Sequence, residues 1–156
     1  MKSRSQSGVT TVEFAIIGTV MMVIVFGIIE FGRALYTINV LTEAARRGAR
    51  MAAVCPVGDP KPASVAVFDS GNGTSSVVSG LTTSNIQIQY LDANGNPIAN
   101  PAANFSNIRY VQSSIVGFTM PLYIPVILPT LHLSGYTATM PRESLGIPRA
   151  GVVSAC

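Results

Sequence analysis

The 156-residue chain has no tryptophan, one histidine and two cysteines, and only 11% of its residues are charged. An ordinary soluble domain carries about 25%. Past Cys55 the acidic residues are only Asp59, Asp69, Asp92 and Glu143, too scattered in sequence to argue a carboxylate pair or a metal site. There is no Gly-rich phosphate loop, no Gly-x-Ser-x-Gly and no Cys-x-x-Cys. The sequence therefore nominates no catalytic residue, no metal ligand and no cofactor, and the expectation is a protein that is not an enzyme. Ten Lys/Arg against seven Asp/Glu give a formal charge of +3. Two of those cations, Lys2 and Arg4, sit in the first eight residues, which leaves no clustered basic face with aromatic partners for nucleic acid.

Proline is also absent before Pro56, although the chain has ten. The first 55 residues thus form an unbroken block, and the rest is interrupted by Pro, Gly, Asn, Ser and Thr. From Phe14 to Ile29 no residue is charged, and the run extends back to Val9 except for Glu13. Residues 9–29 would span about 31 Å as a helix, close to the thickness of a bilayer's hydrocarbon core. One transmembrane helix is expected there. Beyond Glu30 the pattern turns amphipathic. Phe31, Leu35, Ile38, Leu41, Ala45, Ala49 and Ala52 recur at three- and four-residue steps, while Arg33, Thr37, Glu43, Arg47 and Arg50 fall largely on the other side. Glu30 can pair with Arg33, and Glu43 with Arg46 or Arg47, on a solvated face. A single helix of about 45 residues, stopped by Pro56, is the expectation.

The second block reads as a few strands and long turns. Ile86, Ile88 and Tyr90 alternate with Gln87 and Gln89, and Asn94-Gly95 signals a turn. Ile108, Tyr110, Val116 and Phe118 share one parity, predicting a second strand with those residues on one face. Residues 131–139 predict a third, with His132 on its polar face, and residues 56–84 read as loop. The apolar run of residues 115–131 contains Pro121, Pro125 and Pro129. An interior proline costs a helix roughly 3 kcal/mol, so this run is a connection packed on the helix and not a second span. The fold class expected is α+β, with a small antiparallel sheet laid on the upper helix. Cys55 and Cys156 border this unit and suggest a disulfide closing a loop of about 100 residues.

The start of the span is the most informative feature. A polar leader, residues 1–8, ends in Gly8, the apolar helix begins at Val9, and Glu13 is the fifth residue after Gly8. An acidic residue inside a membrane helix is costly and usually paired, although near the helix N-terminus it also favours the macrodipole. Cleavage after Gly8 would place a new α-amine on Val9, about 6 Å along the axis from Glu13. A neighbouring subunit's amine could pair with that carboxylate equally well.

This arrangement resembles that of type IV prepilins. The segments Gly8 to Phe14 (GVTTVEF), Gly27 to Arg33 (GIIEFGR) and Ala45 to Arg50 (ARRGAR) are similar to the N-terminal helix of TadE-like proteins, the pseudopilins of the tight-adherence (Flp) pilus system. The pattern from Ile108 and the closing segment Thr137 to Glu143 resemble the family more loosely. The resemblance implies a nonenzymatic minor pilin or pseudopilin cut by prepilin peptidase between Gly8 and Val9, with Glu13 used in subunit assembly. It implies partners among other pilins, pseudopilins and inner-membrane assembly proteins, with membrane lipid around the span. The expected organisation is a leader at 1–8, a span at 9–29, an extramembrane continuation of the helix at 30–55, and a β-rich ectodomain at 56–156. The expected location is the bacterial inner membrane, single-pass with the ectodomain periplasmic, or the pilus itself. Gly18, Gly27 and Gly32 could serve close helix packing or could be glycines tolerated in a lipid-facing helix.

Two features point elsewhere. Four arginines follow the span closely, which by charge counting alone would put the ectodomain inside. The leader, which must face the cytoplasm, and the cysteines, which suit an oxidising side, favour the opposite orientation. A small-x-small site at Gly32-Arg33-Ala34 would let ordinary signal peptidase release a secreted or membrane-anchored binding domain beginning at Leu35.

Overall fold

A computed structural model describes residues 7–69, 71–123, 130–147 and Cys156. Helix α1 runs without a break from Ser7 to Val54, 48 residues, about 72 Å at helical rise. No proline interrupts it. Its threonines are accommodated because their hydroxyls donate to the carbonyl one turn back: Thr19 to Ala15 at 2.8 Å, Thr37 to Arg33 at 2.9 Å and Thr42 to Ile38 at 2.9 Å. A short helix α2 follows at Lys61–Ala66, then strands β1 (Ile86–Leu91), β2 (Tyr110–Ile115), β3 (Phe118–Pro121), β4 (Thr130–Leu133) and β5 (Thr137–Pro141). An antiparallel sheet in the order β1-β2-β5 packs on the helix, and β3 pairs with β4 in a second antiparallel ribbon. The protein is α+β, with one helix long and apolar enough to cross a membrane among the described residues.

The two halves of α1 live in different surroundings. In its most apolar stretch nothing is buried. From Thr37 upward one stripe disappears under the rest of the chain: Thr37, Leu41, Ala44, Ala45, Gly48, Ala49, Ala52 and Ala53. Two apolar clusters sit on that stripe. The lower joins Leu41, Ala44 and Ala45 to Val67, Leu81, Ile115, Phe118 and Leu133, and the upper joins Ala52 and Ala53 to Tyr90, Ile108, Val111 and Leu145. The predominance of Ala and Gly in the stripe lets the sheet lie close to the helix backbone. The segment after β5 also closes the helix end. The carbonyls of Ala53 and Val54 accept N–H bonds from Glu143 at 3.0 Å, Leu145 at 3.3 Å and Gly146 at 2.6 Å, and Val54 accepts the Ser144 hydroxyl at 3.2 Å. A segment about 90 residues away in sequence thereby supplies the cap that terminal carbonyls need.

Several expectations are corrected. Phe31 and Leu35 are exposed and Thr37 is buried, so the docking stripe begins higher, and turned, relative to the one read from periodicity. The second strand does not run through Phe118. Gly117, at φ +64°, breaks it after Ile115, and β3 starts a new pairing. Within β2 the helix-facing parity is Val111, Ser113 and Ile115, while Tyr110 and Val116 stay partly exposed. Small Ser113 occupies a helix-facing position because Gly48 lies opposite it. The third strand is likewise two. Gly135, at φ +86°, carries the chain from β4 to β5, with Ile115 bonding both Gly135 and Tyr136 across the gap. Residues 56–84 contain α2 and the buried Val67, Val78 and Leu81, so they are not simply loop. His132 is exposed on β4. The leader positions Lys2 and Arg4, and Pro125 and Pro129 of the apolar connection, lie outside the described residues.

Candidate processing and assembly site

Gly8 and Val9 sit in the first turn of α1, with Glu13 one turn after Val9 on the same face. All three are exposed, and a methyl group added to Gly8 would meet nothing within 4 Å. No ion pair reaches Glu13 among the described residues, where ion pairs join Arg33 to Glu30 and Arg47 to Glu43. Gly8, Val9 and Glu13 thus lie together on an exposed face of the first turns of α1.

The glycines divide between faces. Nothing approaches Gly18, Gly27 or Gly32 within 4 Å, so all three are free for contacts outside this chain. At about 100° per residue, Gly18 and Gly27 point roughly 180° apart, whereas Gly27 falls within about 40° of Glu13. Gly18 and Gly27 therefore cannot serve one packing seam together. Gly27 shares a face with Val9 and Glu13, and Gly18 shares the opposite face with Gly32.

A second polar cluster marks the top of the apolar stretch. Arg33 pairs with Glu30 at 3.0 Å, the pairing expected from their spacing. The loop leaving β3 completes it. Arg33 donates to the Pro121 carbonyl, the Tyr123 N–H donates to Glu30 Oε2 at 3.3 Å, and the Arg33 guanidinium lies 3.9 Å from the Tyr123 ring centroid. No sequence signal pointed to Tyr123, because 93 residues separate it from Glu30. Above this, Arg47 pairs with Glu43 at 3.1 Å and covers the Phe68 ring at 4.4 Å, while Arg46 and Arg50 are exposed. So open an ion pair contributes only about 0.3–0.5 kcal/mol. Its neighbour Phe68 holds a left-handed backbone, φ 57°, at the end of α2's turn.

At the far end of the helix Cys55 is bonded to Cys156, with Cα atoms 5.6 Å apart across 101 residues of sequence. The bridge lies beside the cap formed by residues 143–146. Among the described residues no group of three or more His, Cys, Asp or Glu side chains gathers in a metal-binding arrangement.

Residues 8–50 match the family model of the TadE-like protein. The TadE-like resemblance carried by GVTTVEF, GIIEFGR and ARRGAR is thereby shown over those residues. The matched segment begins at Gly8 and ends four residues before α1 does, and the β-strands lie outside it. No curated protein and no solved structure gives a significant match.

Proposed function

We propose that this chain, TadE-like from Gly8 to Arg50, is a nonenzymatic minor pilin or pseudopilin that serves assembly of a tight-adherence, type IV-like pilus. In this reading prepilin peptidase removes residues 1–8 at the inner membrane. Residues 9–29 then hold the protein in lipid, residues 30–55 continue the helix outside it, and residues 56–156 form a periplasmic ectodomain. Glu13 meets a positive amine of its own or a neighbouring subunit during assembly. The observation that carries the reading is the division of α1. Its lower half is apolar and wholly uncovered, and it opens on Gly8, Val9 and Glu13, whereas its upper half is the backbone of the ectodomain core. A rod exposed on every side needs lipid or like helices around it, and a pilin moves between those two environments.

Release by ordinary signal peptidase after Ala34 accords poorly with the geometry. The helix is continuous through Gly32 to Leu35, and Arg33 is tied to Glu30 and to Pro121 of the ectodomain. That cut would leave Arg33 in the discarded fragment.

N-terminal sequencing of protein purified from the membrane of cells with an active prepilin peptidase is expected to start at Val9, and Gly8→Ala is expected to leave the leader attached. An intact Met1, or a soluble product starting at Leu35, would overturn the proposal.

A further inference from the structure

We propose that the lower edge of the ectodomain, built around Tyr123 and Tyr36, is seated in the lipid headgroup layer of the membrane that α1 crosses. This rests on residues 9–29 being the membrane span.

Two tyrosines flank one hollow just above the span. The Tyr123 N–H reaches the carboxylate of Glu30, the first charged residue after the apolar run that ends at Ile29, so the chain leaving β3 lies level with the top of the span. Tyr123 remains 78% exposed although the Arg33 guanidinium lies 3.9 Å from its ring centroid. Tyr36 is 53% exposed and stands about 10 Å above Ile29 along the axis. The headgroup layer on each side of the hydrocarbon core is about 5–8 Å thick, so the Tyr36 backbone stands just above it and its side chain, tilted toward the helix N-terminus, leans down into it. Between Tyr36 and Tyr123 lies an open hollow of about 190 Å³, lined also by Arg33, Val77, Phe118 and Met120.

Lipid is the occupant that this chemistry and placement select. Tyrosine is enriched where an apolar body can enter the acyl boundary while the hydroxyl stays wet. Arg33 adds the cation, and its pairing with Glu30 lets both charges rest at the interface. Below the hollow, on the helix face that Arg33 and Tyr36 share, the apolar surface of α1 is uncovered at Ile29 and Phe26, which are 59% and 52% exposed. Embedding this edge gives the ectodomain a second foothold besides the helix and fixes its rotation over the membrane.

The absence of tryptophan makes the test direct. Three single-tryptophan variants of the full chain, reconstituted in phosphatidylglycerol/phosphatidylethanolamine vesicles, are compared: Tyr123→Trp, Tyr110→Trp and Phe26→Trp. Tyr110 pairs with Leu91 and Pro141 at the end of the sheet beside Ala52 and Ala53, away from the span, and is the distal control. Phe26 reports the span. Lipids carrying a nitroxide near the headgroup should quench Tyr123→Trp and blue-shift its emission relative to Tyr110→Trp, while a deep acyl-chain label quenches Phe26→Trp. If Phe26→Trp is quenched and Tyr123→Trp behaves like Tyr110→Trp, the span stands and the seating fails. Quenching of both Tyr123→Trp and Tyr110→Trp means that the ectodomain lies flat on the bilayer, which also overturns it. An unquenched Phe26→Trp removes the span and with it the premise.

Discussion

Gly48 and Ser113 meet where the helix and the central strand cross, so closely that a Cβ on Gly48 would stand 2.4 Å from the Ser113 hydroxyl oxygen. The same Cβ would lie 3.1 Å from Ala66 and 3.2 Å from Ser113 Cβ, so three elements, α1, α2 and β2, converge on one missing methyl group. In an unencumbered helix, Gly→Ala would stabilise by about 1 kcal/mol. Overpacking a close-packed contact costs about 1–3 kcal/mol. Gly48→Ala is therefore expected to lower the thermal unfolding midpoint of the full chain in detergent, the steric term outweighing the propensity gain. The Ser113 hydroxyl is fully buried with no hydrogen-bond partner among the described residues. Ser113→Ala is accordingly expected to be neutral or stabilising, and adding it to Gly48→Ala should restore part of the loss. A Gly48→Ala protein more stable than the parent would show that the crossing is looser than described.

Cys55 and Cys156 hold the chain end to the top of α1, beside the segment 143–146 that caps the same helix. In the chain-entropy account a loop of about 100 residues is worth up to about 4.7 kcal/mol, and native bridges commonly contribute about 2–4. The cap should hold part of the structure without the bridge. Reduction of the full chain, or Cys55→Ser with Cys156→Ser, is therefore expected to lower the unfolding midpoint without abolishing the folded sheet on α1. Intact mass of the non-reduced protein after alkylation is the companion measurement, and two alkylated thiols there would dispose of the bridge.

What could be read from the sequence was governed by range. The helix was legible because its determinants are local: no proline before Pro56, an uncharged run to Ile29, and Glu43 one turn from Arg47. Strand β1 was legible from strict alternation. The face of β2 was not, because periodicity ranks residues by apolarity. Here the helix-facing position that decides the packing belongs to Ser113, selected by a glycine 65 positions earlier. Helix α2 was hidden by its six-residue length and by Pro60 and Pro62, although proline suits the first turn of a helix. Of the candidate site, Gly8, Val9 and Glu13 were readable from spacing alone, and Glu30 with Arg33 from i,i+3 geometry. The partners of Glu30 and Arg33, Pro121 and Tyr123, required the strands to fold back on the helix.

Asp69 closes the turn after α2 by accepting three backbone N–H bonds on Oδ1, from Gly71 at 2.7 Å and from Asn72 and Gly73 at 2.9 Å. The Gly71 N–H has the largest influence and, with the N–H groups of Asn72 and Gly73, holds the carboxyl below its ordinary value of 3.8 against an opposing desolvation that ranks second. A carboxylate with a depressed folded pKa adds stability that is present above its unfolded pKa and is lost as pH falls through the folded one. Asp92, whose carboxylate accepts bonds from Asn94 and Asn96, behaves in the same way. The folded chain is therefore expected to weaken on acidification through and below pH 3.8, and Asp69→Asn should flatten part of that decline. The unfolding midpoint measured across this range checks it. An unchanged acid limb in the Asp69→Asn, Asp92→Asn double variant would show that these turns do not set it.

Glu13 offers the sharpest test of the assembly role, because a tolerated carboxylate and a used one respond in opposite directions. Charge in the centre of a membrane helix costs about 2.5–3.5 kcal/mol on insertion scales, and less near the interface. If Glu13 merely sits near the headgroups, Glu13→Gln relieves that cost, and the protein should reach membrane and pilus at least as well as before. If its charge meets a subunit's amine, the near-isosteric amide keeps the shape and removes the attraction. Leader cleavage and membrane retention should then persist in Glu13→Gln while recovery of the protein with sheared pili, or its crosslinking to pilin partners, is lost. Because Gly27 lies on the face of Glu13 and Gly18 on the opposite one, Gly27→Leu is expected to impair the same crosslinks more than Gly18→Leu does. Equal crosslinking of parent and Glu13→Gln would return the carboxylate to the role of an interfacial helix-end charge.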